Sequence, residues 1–137
     1  MRYRLVFAAT LLLPACSQRY SVPVTASTSA SPEETFGCIK KQLKELGYKQ
    51  TSIDVDERRI NAVKIDLKSR RPDTQFRRIL NRMDVEAAAT ANGQTSIEIS
   101  PHTLAEYTTQ RGPTEVEEKE SDELKADAQQ LLERCRS

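Results

Sequence analysis

The 137-residue chain has no tryptophan, one histidine, four glycines and three cysteines, and each shortage excludes a kind of chemistry. With aromatics at only 5%, a core has to be assembled from Ile, Val, Leu and Ala, and so modest a core benefits from a covalent staple. His102 is isolated in the sequence, so it and two distant cysteines do not make a metal ligand set, and no nucleophile and base are arranged around it. The scattered glycines remove a phosphate-cradling loop, and the lack of a Cys-x-x-Cys pair removes dithiol redox catalysis. The acidic stretch from Glu115 to Glu123 lacks the Asp and Gly spacing of a calcium loop; it reads as the dipole-favoured start of a helix. The expectation is a protein that is not an enzyme, with no catalytic residue, no metal and no cofactor.

What is present begins with an address. Met1 to Arg4 carries two arginines, and Leu5 to Leu13 is a nearly unbroken apolar run. As a helix that run spans only about 14 Å, too short for a hydrocarbon layer of about 30 Å, so it reads as a secretory signal peptide. It ends in Leu13-Pro14-Ala15-Cys16, which resembles the lipobox of bacterial lipoproteins, with Pro14 in place of the usual small residue. The resemblance implies cleavage before Cys16 and a covalent lipid (diacylglyceryl, with palmitate-type chains) on its sulfur, so the membrane is a partner through the anchor. Ser17, where Asp signals retention in the inner membrane of such lipoproteins, implies the periplasmic face of the outer membrane, in a cell that has one.

The rest divides simply. Residues 1–15 are the expected signal peptide, 16–31 the lipidated cysteine and a flexible Ser/Thr/Ala/Pro-rich tether, and 32–137 one α+β domain. Ser31-Pro32-Glu33-Glu34 is a helix start, Phe36, Ile39, Leu43 and Leu46 recur at helical spacing, and Gly47 stops the run. Thr51, Ile53 and Val55, then Val63, Ile65 and Leu67, alternate as a hairpin about Asp56 to Arg59. Phe76, Ile79, Leu80 and Met83 fit a helix, whereas Met83, Val85, Ala87, Ala89 and Ala91 fit a strand; a helical turn at Asp73–Leu80 and a strand at Met83–Ala91 are expected. Asn92-Gly93 marks a two-residue hairpin turn before a strand through Thr95, Ile97 and Ile99, and Pro101 should interrupt the ladder or sit at an edge. A polar loop through Gly112-Pro113 then leads to a helix from Glu115 to Arg134, with Leu124, Ala128, Leu131 and Cys135 in line. The order α-β-β-β-β-α predicts a four-stranded antiparallel sheet with the N- and C-terminal helices on one face.

With Cys16 taken by lipid, Cys38 and Cys135 remain as an even pair, and that topology brings the start of the first helix to the end of the last. A disulfide between them is expected in an oxidising compartment. Charge is unevenly divided: Lys40 to Arg82 holds 13 basic and 6 acidic residues, Met83 to Ser137 5 basic and 12 acidic. The halves should attract each other. The alternative is a basic face, centred on Arg70, Arg71, Arg77, Arg78 and Arg82, for an anionic lipid or an acidic partner; an exported protein seldom meets nucleic acid, and none is expected. The leading expectation is a membrane-anchored envelope interaction module, its partner a protein meeting Asp54, Lys64, Asp66, Asp84 and Glu86 on the open face of the sheet. The order of elements is similar to that of small lipoprotein subunits of outer-membrane assembly and lipopolysaccharide-transport machines. The second expectation is a lipid or small-ligand carrier with a helix–sheet cavity, made roomy by the alanines from Glu86 to Ala91.

Overall fold

The computed structural model describes residues 20–137; the expected signal peptide, Cys16 and the first residues of the expected tether lie outside them. The chain order is β1 (Val24–Thr28), α1 (Pro32–Glu45), β2 (Lys49–Asp54), β3 (Arg59–Asp66), β4 (Phe76–Ala89), β5 (Thr95–Thr109), β6 (Gly112–Glu118) and α2 (Asp122–Arg136). The fold is α+β with an antiparallel sheet and two helices, but the sheet has six strands, ordered β1-β5-β4-β3-β2 with β6 also on β5. Both additions come from stretches expected to be irregular. Within the expected tether, Val24–Thr28 pairs with Ile99–Thr95, so α1 is not the first element of the domain. The expected loop at Gly112-Pro113 opens β6, which pairs with Thr103–Thr109.

α1 starts as its sequence dictates. Ser31 Oγ accepts from Glu34 N–H while the Glu34 carboxylate accepts from Ser31 N–H, a reciprocal capping box with Pro32 in the first turn. Gly47 takes φ +87° just past the end, a conformation a side chain resists. Phe36, Ile39 and Leu43 point into the core, as do Leu124, Ala128, Leu131 and Cys135 of α2.

Strand register assigns the faces. Ile60, Ala62, Met83, Val85, Ala87, Ile97 and Ile99 share one face and join both helices in a single core. In β3 this reverses the expected alternation: Ile60 and Ala62 are buried, whereas Val63 and Ile65 look to the open side. The turn after β4 closes through Thr90 and Gln94 around Ala91-Asn92-Gly93, with Gly93 at φ +79°, so the connection is three residues rather than two. Pro101 lies within β5, opposite Met83, where the other flank passes from β1 (up to Ile99) to β6 (from Thr103). A missing N–H is tolerated in that gap.

The expected helical turn at Asp73–Leu80 is replaced by the start of β4. A bulge between Phe76 and Arg78 puts Phe76 and Ile79 on the same face. Ile79 and Leu80 are consecutive yet both buried, so apolar residues at 76, 79, 80 and 83 imitate a helix. The connection before β4 folds over this end, where the Arg71 guanidinium lies 5.1 Å from the Phe76 ring centre.

Cys38 and Cys135 form a disulfide with Cα atoms 5.7 Å apart. The extra strand β6 does not disturb this pairing, because α2 continues in the direction of β6 instead of reversing. Ser121 N–H donates to Thr103 Oγ1 at mid-sheet, Asp127 meets Tyr48, and Cys135 reaches α1.

Candidate functional site

The five arginines nominated from the sequence do not form one free basic surface. Arg71 makes a two-pronged contact with Glu118 at 2.5 and 2.6 Å and donates to Tyr107 Oη; Arg77 and Arg78 share Glu106; Arg82 reaches Glu115 at 3.3 Å. Arg70 donates to the carbonyls of Leu67 and Ser69 in its own loop. The hydrogen bonds from Arg71 hold the Glu118 carboxyl below its ordinary range against the opposing effect of burial. Every acid in this set comes from the C-terminal half, so the attraction between the halves is realised as contacts within the domain.

The open face of the sheet carries Asp54, Asp84 and Glu86 as expected, but register puts Lys64 and Asp66 on the helix side. Lys64 donates to Asp127 at 3.0 Å and pairs with Glu123 at 2.8 Å, while Tyr48 Oη donates to the same Asp127 oxygen. Burial, then the charge and hydrogen bond of Asp127, push the Tyr48 hydroxyl well above its ordinary range. Burial disfavours the charged Lys64, but its bonds to Glu123 and Asp127 prevail and its pKa is raised. Through these contacts Lys64 ties α2 to β3, and Tyr48 ties α2 to the start of β2. On the open face, His102 accepts or donates at Glu117 through Nδ1 at 2.8 Å, with Asp84 3.8 Å from Nε2. Ala87, within the stretch expected to leave a cavity, is 1% exposed and packed in the core.

A different region combines free valences of three kinds. β2 is an edge strand, exposed along its length apart from Gln50, and no backbone hydrogen bond from a loop or turn reaches its outer side among the described residues. Beside it lies a cleft of about 420 Å³ lined by Glu33, Phe36, Lys40, Val55, Asp56 and Arg58. Val55 is 67% and Ile53 48% exposed, so apolar surface borders the cleft on the strand side. Gln50 Nε2 donates to Lys40 O, which holds α1 along this edge. Lys40, Lys41, Lys44 and Lys49 have no carboxylate within ion-pair distance among the described residues, although Lys40 sits 5.0 Å from the Phe36 ring centre. Lys40, Lys41 and Lys44 recur at helical spacing along α1 and Lys49 opens β2, a pattern that in sequence looks like any solvated helix face. Their lack of internal partners is visible only in three dimensions.

No known protein family matches the chain, and no curated protein matches it.

Proposed function

We propose that the chain is a lipid-anchored module of the bacterial cell envelope, cleaved before Cys16 and acylated there, that binds a protein partner on the periplasmic side of the outer membrane and carries out no chemistry of its own. The observation that carries the binding role is the unpaired β2 edge beside a lysine-bordered cleft. The Cys38–Cys135 disulfide supports an oxidising compartment. A short leash supports membrane apposition: Val22 N–H is tied to Glu120 Oε1, six residues after Cys16, a distance the extended chain spans with about 20 Å. The anchor thus holds the domain against the bilayer, closer than a fifteen-residue tether would.

Two measurements test the reading together. Intact mass of the membrane-extracted protein should show acyl chains on Cys16, and Cys16→Ser should move the chain to the soluble fraction. A photoreactive amino acid placed in turn at Val55, Ser100 and Arg111 should yield a protein adduct in the native envelope from at least one site. An unacylated native protein overturns the anchor, and no adduct from any site overturns the interaction role.

A further inference from the structure

We infer that the occupant of the β2 edge is an extended segment of a partner protein, apolar in its first half and acidic in its second, added antiparallel to β2. The inference rests on the interaction reading above and names the partner's chemistry. An edge strand offers a linear row of unpaired N–H and C=O groups that only another extended backbone satisfies. A register shift between Gln50 and Ser52 splits the edge, leaving Ser52 to Asp54 as the regular run leading to the cleft. Such a bulge obstructs long edge-to-edge pairing between copies while leaving room for a short guest.

Polarity along the edge fixes the order of the guest's residues. At the turn end stand Asp54, Asp56 and Glu57, with Glu33 across the cleft. The cations there are already engaged, Arg58 by Glu33, Arg59 by Glu57 and Glu86, and Lys40 over the Phe36 ring, so a further carboxylate gains little and the Phe36–Val55 floor takes an apolar side chain. At the other end Lys44 lies near the end of α1 and Lys49 at the start of β2, neither paired internally. A strand antiparallel to β2 runs from the turn end toward Lys49, so its apolar residue comes first and its acids follow. Alternation sends successive guest side chains to the helix side, toward Lys40 and Lys44, and to the open side, where register puts Lys49. The chain's own acidic strand β6 is a poorer occupant, because Glu115, Glu117 and Glu118 are already engaged by Arg82, His102 and Arg71.

The test uses the full-length chain in non-ionic detergent and a fluorescein-labelled octapeptide with two valines in its first half and three glutamates in its second. Fluorescence anisotropy should give micromolar binding that weakens at least tenfold for the same peptide N-methylated along alternate amides. It should weaken at least tenfold again for Lys44→Glu/Lys49→Glu, and the version with glutamates first should bind less well than the original. A peptide with no saturation below 1 mM, or an N-methylated peptide that binds equally well, overturns the inference. So does Cys16→Ser protein that sediments with phosphatidylglycerol vesicles in a lysine-dependent way while ignoring the peptide. If envelope crosslinking finds a partner from Ser100 or Arg111 but never from Val55, the interaction role stands and this inference falls.

Discussion

Removing the disulfide by Cys38→Ala/Cys135→Ala gives the most quantitative test of how the fold is held. The bridged residues are 97 positions apart, and loop-closure entropy assigns about 4.7 kcal/mol to a crosslink closing about 100 residues. Removing a native bridge from a small domain typically costs about 2 to 5 kcal/mol, so a loss of about 3 to 4 kcal/mol is expected. A domain of this size has roughly 6 to 18 kcal/mol in all, so the bridge is a substantial share. Urea unfolding of the oxidised and cysteine-free proteins should show that loss, together with a melting point lower by roughly 12 to 16 °C. The slope of free energy against urea should also rise without the bridge, because the unfolded chain then expands and exposes more surface. A loss under about 1 kcal/mol with an unchanged slope would refute the reasoning and assign the closure of α1 on α2 to packing alone.

Three further perturbations follow from individual contacts. Lys64→Met strips Asp127 of its cation beside the core and should cost about 2 to 3 kcal/mol in urea melts. Because the folded pKa of Lys64 is raised, that gap should be complete below pH 10.5 and close as pH rises through the folded value; a gap constant to high pH would contradict the assignment. Glu118→Gln has the opposite profile: its folded pKa is lowered by Arg71, so the stability difference from the parent should be full above about pH 4.5 and vanish as pH falls through the folded value. Arg58→Gly releases a non-glycine residue from φ +48° but loses the pair with Glu33, whose carboxylate is exposed while the Arg58 side chain is mostly covered. Thermal melts should show a net gain of about 0.5 to 1 kcal/mol, and a less stable glycine variant would count against backbone strain at this turn.

Elements with one dominant local signal were legible in the sequence. Ser31-Pro32 and Gly47 bracket α1 because capping and positive φ are properties of single residues, and the apolar line of α2 identified its buried face. The hairpin of β2 and β3 was legible as well, but not its phase, since Ile60 and Ala62 turn inward and leave Ile65 on the open side. The two extra strands were hidden for different reasons. Val24–Thr28 is short, rich in Ser and Thr, and becomes a strand only because Thr95–Ile99 offers it an edge. Gly112–Glu118 carries three glutamates and one valine, so its pairing depends on β5 and on cations reaching over from β4 and the loop before it. α2 consequently starts at Asp122, capped by Ser121, rather than at Glu115. The disulfide was legible because it depends on where the helices begin and end, and β6 followed by a co-directional α2 leaves that unchanged.

The candidate site was the least legible part, and the chemistry of the two basic residues explains why. The arginines stood out by density, yet a guanidinium suits fixed, planar pairing with carboxylates on a twisted sheet, and Arg59, Arg71, Arg78 and Arg82 are consumed that way by Glu86, Glu118, Glu106 and Glu115. A lysine presents a hydrated point charge on a flexible stem and loses more freedom when held to one partner. On α1 and β2 it is the lysines that remain without carboxylates, in a domain whose basic and acidic halves offset each other. An incoming carboxylate at Arg82 or Arg71 has to displace an internal one already in place, so little is gained. At Lys44 or Lys49 it displaces only water. Charge density along the chain therefore points to arginines that the fold mostly pairs internally, whereas Lys40, Lys41, Lys44 and Lys49, without carboxylates among the described residues, flank the edge to which the inferred acidic strand is assigned.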